Sequence, residues 1–456
     1  MRPVPLALRL LCVATLAHSL SAQPAAAPAP APGYAAQADA IIASYVKDGL
    51  FRGAAIVIKQ GQPVFRKAYG LANSEWDIPN TPDTKFRIGS ITKQFTAIAI
   101  LQLADQGKLK LEDPVATYYE GAPAAWERIT VHHLLNHTSG IVSYTGMKDF
   151  FPKMSRDPRT PAEIVKLTQD LPLEFDPGTR YKYNNTGYVF LGHIIEKVSG
   201  MKYADYLRQH ILDPAGMADT GFDTHADVLK KRATGYLPNG KIAPYLDMSL
   251  PHAAGSLYST VDDFVKWDQA LASGKLLSPA SWKRMTTPGL SDYGYGLNLK
   301  PLAGHASMAH GGGINGFNTH FIRFPEEKVA VAVFANVNGP AADTLAASLA
   351  RLYFGEDVKP RETYTGIKVS EAELDAFQGT YELAPTFRLK VWREAAQLMV
   401  QATNQPAFPI TPYAPAKFFL KAVDAQLEFQ RNAEGKVESV TLHQNGRSLP
   451  GKRTGD

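Results

Sequence analysis

The sequence predicts an α+β domain followed by a small all-β domain, and three observations carry that prediction. Strand-like runs lie near residues 54–69 and again near 295–334, with helical patterns between them, so one sheet must be assembled from distant parts of the chain. From about Asp375 the pattern changes to short β-like runs separated by turn residues. At 456 residues the chain exceeds a typical single domain, and its 45% hydrophobic and 20% charged content is that of a folded protein.

The elements follow in order. Residues 1–22 read as a signal peptide: Arg2 supplies positive charge, an apolar stretch runs from Leu6 to Ala17, and Ser19, Ser21 and Ala22 are small. The stretch is too short to span a membrane, and no later segment is long enough for a transmembrane anchor. The expected location is periplasmic or secreted. Cys12 does not read as a lipid-attachment site, because Leu11 stands where a small residue is needed.

An Ala/Pro-rich tether follows over 23–35. The first folded domain is expected over 36–358. It opens with an amphipathic helix around Ile41, Ile42, Tyr45 and Val46. A hairpin of Ala54–Lys59 and Pro63–Tyr69 follows, turning at Gln60-Gly61-Gln62. A helix begins near Ser90, and helical patterns recur over Val131–Leu135, Ala162–Leu171, Val189–Val198 and Tyr203–Ile211. Strands are expected at Tyr295–Leu299, Thr319–Phe324 and Val329–Phe334, then a helix over Ala341–Phe354. The second domain, 359–456, shows strand runs at Gly379–Leu383, Phe387–Trp392, Gln397–Gln401, Lys417–Lys421, Gln426–Gln430 and Val437–His443. Asn432-Ala433-Glu434-Gly435 and Asn445-Gly446 read as turns. That spacing fits a sandwich or barrel.

Composition excludes several functions. The formal net charge is +5, two units of which are Arg2 and Arg9 in the leader, and the longest basic run is Lys230-Lys231-Arg232. No nucleic-acid partner is expected. Cys12 is the only cysteine, so the mature chain has no disulfide, thiol nucleophile or thiolate-bound metal. His133 and His137 stand four apart, but Leu134 follows His133 where a metalloprotease carries glutamate, so no metal site is expected. No cofactor is expected either. Serine is left as the leading covalent nucleophile.

A serine hydroxyl needs a base beside it, and a lysine three residues on lies on the same helix face. Three Ser-x-x-Lys matches occur: Ser44–Lys47, Ser90–Lys93 and Ser199–Lys202. Ser199 precedes Gly200 at a helix C-terminus, and Ser44–Lys47 fits the solvated face of the first helix. Ser90 instead sits at a helix start, where free N–H groups can stabilise an oxyanion. Two further segments could complete a site. Tyr183-Asn184-Asn185 offers a phenol and an amide; His310-Gly311-Gly312-Gly313 would let a substrate backbone approach closely.

Ser90-x-x-Lys93, Tyr183-x-Asn185 and His310-x-Gly312 resemble, in order and spacing, the motifs of the class C β-lactamase and penicillin-binding protein superfamily of serine hydrolases. Phe86-Arg87-Ile88-Gly89, Leu134-Leu135-Asn136-His137-Thr138-Ser139-Gly140, Pro177-Gly178 and Gly255-Ser256-Leu257-Tyr258-Ser259-Thr260 resemble that family too, and the likeness spans about 36–354. The resemblance implies a helical region packed on an antiparallel sheet flanked by helices, with the active site between them. It implies Ser90 as nucleophile and Lys93 as its proton acceptor. Tyr183 would be a second acid/base group, with Lys93 and Tyr183 both open as principal base. Asn185 would position substrate or lysine, Ser90 and Gly313 would supply oxyanion N–H groups, and His310 and Gly312 would line the strand edge. The implied substrate is a small amide or ester, such as a D-amino-acid peptide. The alternatives are a true β-lactamase and a non-catalytic penicillin-recognising sensor. Many β-lactamases carry Lys-Thr-Gly where this chain has His310-Gly311-Gly312, which argues against efficient β-lactam hydrolysis. The β domain resembles a lipocalin-like barrel appended to some of these hydrolases. Oligomeric state is left open.

Overall fold

The computed structural model describes residues 31–362, 364–405, 407–421, 425–444 and 447–455. The expected leader, most of the tether and the Asn445-Gly446 turn lie outside these residues. Among the described residues, no helix is long and apolar enough to cross a membrane.

One antiparallel sheet of five strands organises the first part of the chain, in the order Gln62–Tyr69, Gly53–Lys59, Val329–Ala335, Phe317–Phe324 and Met308–Ile314. Both faces are covered, which explains why Gly53–Lys59 and Val329–Ala335 are almost continuously apolar rather than alternating. Ala54, Ile56, Ile58, Ala330, Ala332 and Phe334 face a core shared with the helices Thr92–Asp105 and Asn185–Ser199. Ala55, Val57, Val329, Val331 and Val333 face a second core with the helices Tyr34–Lys47 and Ala341–Tyr353. The arrangement is a helical region on one face of an antiparallel sheet and two helices on the other, as expected.

The helix Thr92–Asp105 is buried on nearly every side, from Thr92 through Leu101. A helix apolar all round belongs in a core. A single 3-10 turn, Gly89–Ile91, leads into it and carries Ser90.

One expected strand is absent. Tyr295–Leu299 forms a tight loop in which Gly294 N–H donates to the Leu297 carbonyl at 2.8 Å. Gly296 takes φ +67°, and a Cβ there would lie 2.6 Å from the Lys93 carbonyl oxygen. The Tyr-Gly-Tyr-Gly sequence serves close packing on the Lys93 helix instead of a ladder. The edge strand is Met308–Ile314, which includes His310, Gly312 and Gly313. Tyr203–Ile211 begins as an α-helix, Tyr203–Leu207, and widens into a π turn over Arg208–Leu212.

The last part is a closed eight-stranded barrel, its first strand, Gly379–Ala384, pairing with its last, Arg447–Gly455. Two of its strands escape the sequence pattern. Ala407–Ala414 carries Pro409 and Pro412, residues that argue against an interior strand, and Arg447–Gly455 is polar with Pro450 and Gly451. The barrel interior is filled by its own core, including Phe377, Tyr381, Phe418 and Phe429. Arg361 joins the two parts: its backbone N–H donates to Ser44 Oγ at 3.0 Å, and its guanidinium reaches the Leu420 and Lys421 carbonyls at 3.4 Å.

Candidate active site

Ser90 lies where the helical region meets the sheet edge, in a cleft of about 180 Å³ that Asn185, Ala254, Gly255 and Gly313 also line. The edge strand approaches Ser90 through glycine. A Cβ on Gly312 would sit 2.0 Å from the Ile88 carbonyl oxygen, and one on Gly89 (φ +51°) would sit 3.0 Å from the Gly313 nitrogen. Any side chain at Gly312 would push the strand away from the serine turn.

Lys93 is fully buried, and its Nζ stands 3.0 Å from Ser90 Oγ, 2.9 Å from Asn185 Oδ1 and 2.7 Å from the Ala254 carbonyl. The Asn185 amide is oriented because its Nδ2 donates to Thr145 Oγ1 at 3.1 Å, leaving Oδ1 as the acceptor toward Lys93. Among the described residues no carboxylate pairs with the lysine, and burial drives its pKa well below the ordinary value. A neutral amine has two N–H donors and one lone pair. Once deprotonated, Nζ can keep donating to the two carbonyl-type acceptors and turn its lone pair to the Ser90 hydroxyl.

Tyr183 stands close enough to Ser90 for the serine hydroxyl to act on its phenol. Burial raises its pKa and the Ser90 bond offsets this only in part, so the phenol keeps its proton at neutral pH. The residue as a whole is 36% exposed. Lys93 Nζ lies 4.8 Å from its centroid. Tyr183 precedes the helix Asn185–Ser199, which Asn184 caps by accepting from Gly187 N–H at 2.9 Å.

His310 behaves differently from a cleft-lining group. It is 7% exposed, its Nδ1 bonds the Gly311 carbonyl at 2.6 Å, and its Nε2 bonds the Tyr293 hydroxyl at 2.9 Å. Burial pushes its pKa down to about 3, so it is neutral. It anchors the Tyr293 loop, while Gly313, Ile314 and Asn315 present the strand edge to the cleft.

Ser90, Lys93, Tyr183, Asn185 and Gly313 therefore converge, Gly312 permits the convergence, and His310 stands behind it. The other two Ser-x-x-Lys serines are engaged locally: Ser44 Oγ donates to the Ile41 carbonyl and Ser199 Oγ to the Ile195 carbonyl, each at 2.6 Å. His133 accepts from Thr130 N–H in a capping box, whereas His137 turns into the tyrosine cluster. Sequence reasoning missed the Ala254 carbonyl, Thr145, Tyr293 and the apolar wall of Tyr144, Phe150, Phe151, Leu246 and Leu250. A backbone carbonyl leaves no mark in a sequence; the nearby Gly255-Ser256 motif was the one available signal.

The beta-lactamase family model matches residues 38–354, and a model described as a domain of unknown function matches 365–453. The chain is 29% identical over 310 residues to the teichoic acid D-alanine hydrolase of Staphylococcus aureus, covering 65% of this chain and 73% of that one. The octameric penicillin-binding protein homologue from Pyrococcus abyssi superposes with a TM-score of 0.65 at 28% identity, over 92% of this chain and 98% of that one. The D-stereospecific amidohydrolase from Streptomyces sp. gives 0.58 at 30% identity, over 67% of this chain and 95% of that one.

Proposed function

We propose that this chain, which belongs to the beta-lactamase family, acts as an exported serine hydrolase that forms and then hydrolyses an acyl-enzyme. The observation that carries the reading is the buried, carboxylate-free Lys93 amine 3.0 Å from Ser90 Oγ. Ser90 Oγ attacks the substrate carbonyl as its proton passes to Lys93 Nζ. The N–H groups of Ser90 and Gly313 receive the developing oxyanion. Tyr183 gives its proton to the departing amine or alcohol, and as phenolate takes one from the incoming water. That water attacks the acyl carbonyl, and Lys93 returns its proton to Ser90 Oγ. A neutral lysine beside a protonated phenol favours Lys93 over Tyr183 as the base for acylation.

The cleft supports neutral acyl donors. Its lining holds no lysine or arginine, and its wall is aromatic and aliphatic. The neutral, buried His310 offers no charge to a substrate carboxylate. D-amino-acid amides and esters with apolar side chains fit these surroundings, in keeping with the D-alanine hydrolase and D-stereospecific amidohydrolase among the similar proteins. Purified protein is expected to cleave D-aminoacyl anilides or esters faster than a chromogenic cephalosporin. The reverse order would make it a β-lactamase, and acylation without turnover would make it a sensor.

Export is supported by the charged, apolar and small-residue pattern of residues 1–22. Intact-mass analysis of protein from a bacterial host should find a chain beginning near Gln23 outside the cytoplasm. A chain that keeps residues 1–22 and stays in the cytoplasm would overturn this.

A further inference from the structure

We propose that His137 is the positioning residue for Tyr183: one side chain and its own carbonyl fix the backbone on both sides of the phenol. The inference rests on the role given to Tyr183 above. The His137 carbonyl accepts from Lys182 N–H at 3.0 Å, and His137 Nδ1 accepts from Asn184 N–H at 3.1 Å. These are the amides immediately before and after Tyr183. The imidazole also packs on the Tyr183 ring, with centroids 4.4 Å apart and planes at 44°.

The geometry needs an unusual residue. His137 is 1% exposed and sits in the left-handed region at φ +61°, just past the short helix Val131–Leu135. Few side chains adopt that backbone conformation readily, and fewer also offer a ring acceptor. Because Nδ1 accepts, the ring proton is on Nε2, which has no hydrogen-bond partner among the described residues. Leaving a buried N–H unpaired is unfavourable, so the ring is retained for its Nδ1 bond and its contact with Tyr183. The following segment extends the support: Thr138 and Gly140 carbonyls accept from Gly178 and Glu174 N–H groups, each at 2.8 Å. The strand of chain that delivers Tyr183 is thus laid along residues 137–140. Among the described residues, none of these hydrogen bonds involves Ser90 or Lys93.

The test is a double-mutant cycle. His137→Gly tolerates the left-handed backbone while removing the ring. It is expected to lower kcat about 10–100-fold with KM little changed, as misplacement of a catalytic group does. Tyr183→Phe alone should lower kcat about 10²–10⁴-fold. In the Tyr183→Phe background the same His137→Gly change should cost less than about threefold. An equal cost in both backgrounds would mean general destabilisation and overturn the proposal. His137→Asn, which accepts left-handed φ and offers a side-chain oxygen, should recover part of kcat. Labelling of Ser90 by an acylating probe should persist in each variant. With 13C-labelled tyrosine, the Tyr183 Cζ resonance should shift and broaden in His137→Gly. An unchanged resonance overturns the positioning role whether or not the wild type turns over substrate, whereas an inactive wild type with a shifted resonance overturns only the assigned function.

Discussion

Ser90→Ala is expected to abolish covalent labelling and to lower hydrolysis by about 10⁴-fold or more, because a nucleophile and its base act as one unit. Mass spectrometry of the wild type after a slowly deacylating ester should show one adduct, on Ser90, and the variant none. Among the described residues, the lost atom is the only hydroxyl hydrogen-bonded to Lys93 Nζ. Ser90 is half-buried in a short turn. Losing one hydroxyl there should leave the fold intact, which separates a catalytic defect from unfolding. An adduct that persists in Ser90→Ala would sink the mechanism.

Lys93→Met should be nearly as severe, about 10⁴-fold, for the same reason. Methionine fills the buried stem but offers no lone pair to the serine proton. The lysine also sets the pH dependence. Burial holds its pKa well below the ordinary value, so the amine gives up its proton more readily than a free lysine, and activity should fall on acidification as Nζ becomes an ammonium. Stability has the same sign. In the unfolded chain the lysine titrates near 10.4, so between its folded and unfolded pKa values the unfolded chain binds the additional proton. Stability then rises with pH through that window and is lost as pH falls toward the folded value. Thermal melts from pH 7 to 10 should therefore show wild type gaining on Lys93→Met as pH rises. A difference that stays flat with pH would mean that the lysine is charged in the folded protein.

The parts of the molecule that show in the sequence are those where one side chain does one job. Gly53–Lys59 and Val329–Ala335 read as strands because both of their faces are buried and apolar. Ser90, Lys93, Tyr183 and Asn185 stand out because their chemistry depends on residue type at fixed spacing. The misses have a different physical origin. Tyr295–Leu299 alternates like a strand, but its Tyr295 hydroxyl bonds His132 and its Gly296 packs on the Lys93 backbone. Ala407–Ala414 contains prolines that local rules exclude from an interior strand, yet the closed barrel accommodates both. His310 has the right position for a cleft group and the wrong orientation, because Tyr293 and the Gly311 carbonyl hold its ring away. The Ala254 carbonyl, which takes one of the two Lys93 N–H bonds, could not be seen before the chain was folded.

The sheet order carries a consequence for how the molecule is made. Gly53–Lys59 is an interior strand, and one of its two partners is Val329–Ala335, with Gly53 opposite Ala335. A chain released from its N-terminus has the local hairpin with Gln62–Tyr69 early, but the other edge of Gly53–Lys59 waits for nearly three hundred residues. Pairings that distant form slowly, since loop closure must precede any gain from contact. During the wait, Ala54 to Ile58 present an apolar, unpaired edge of the kind that seeds association between chains. The five-stranded sheet is thus expected to close late, staying open until Val329–Ala335 arrives.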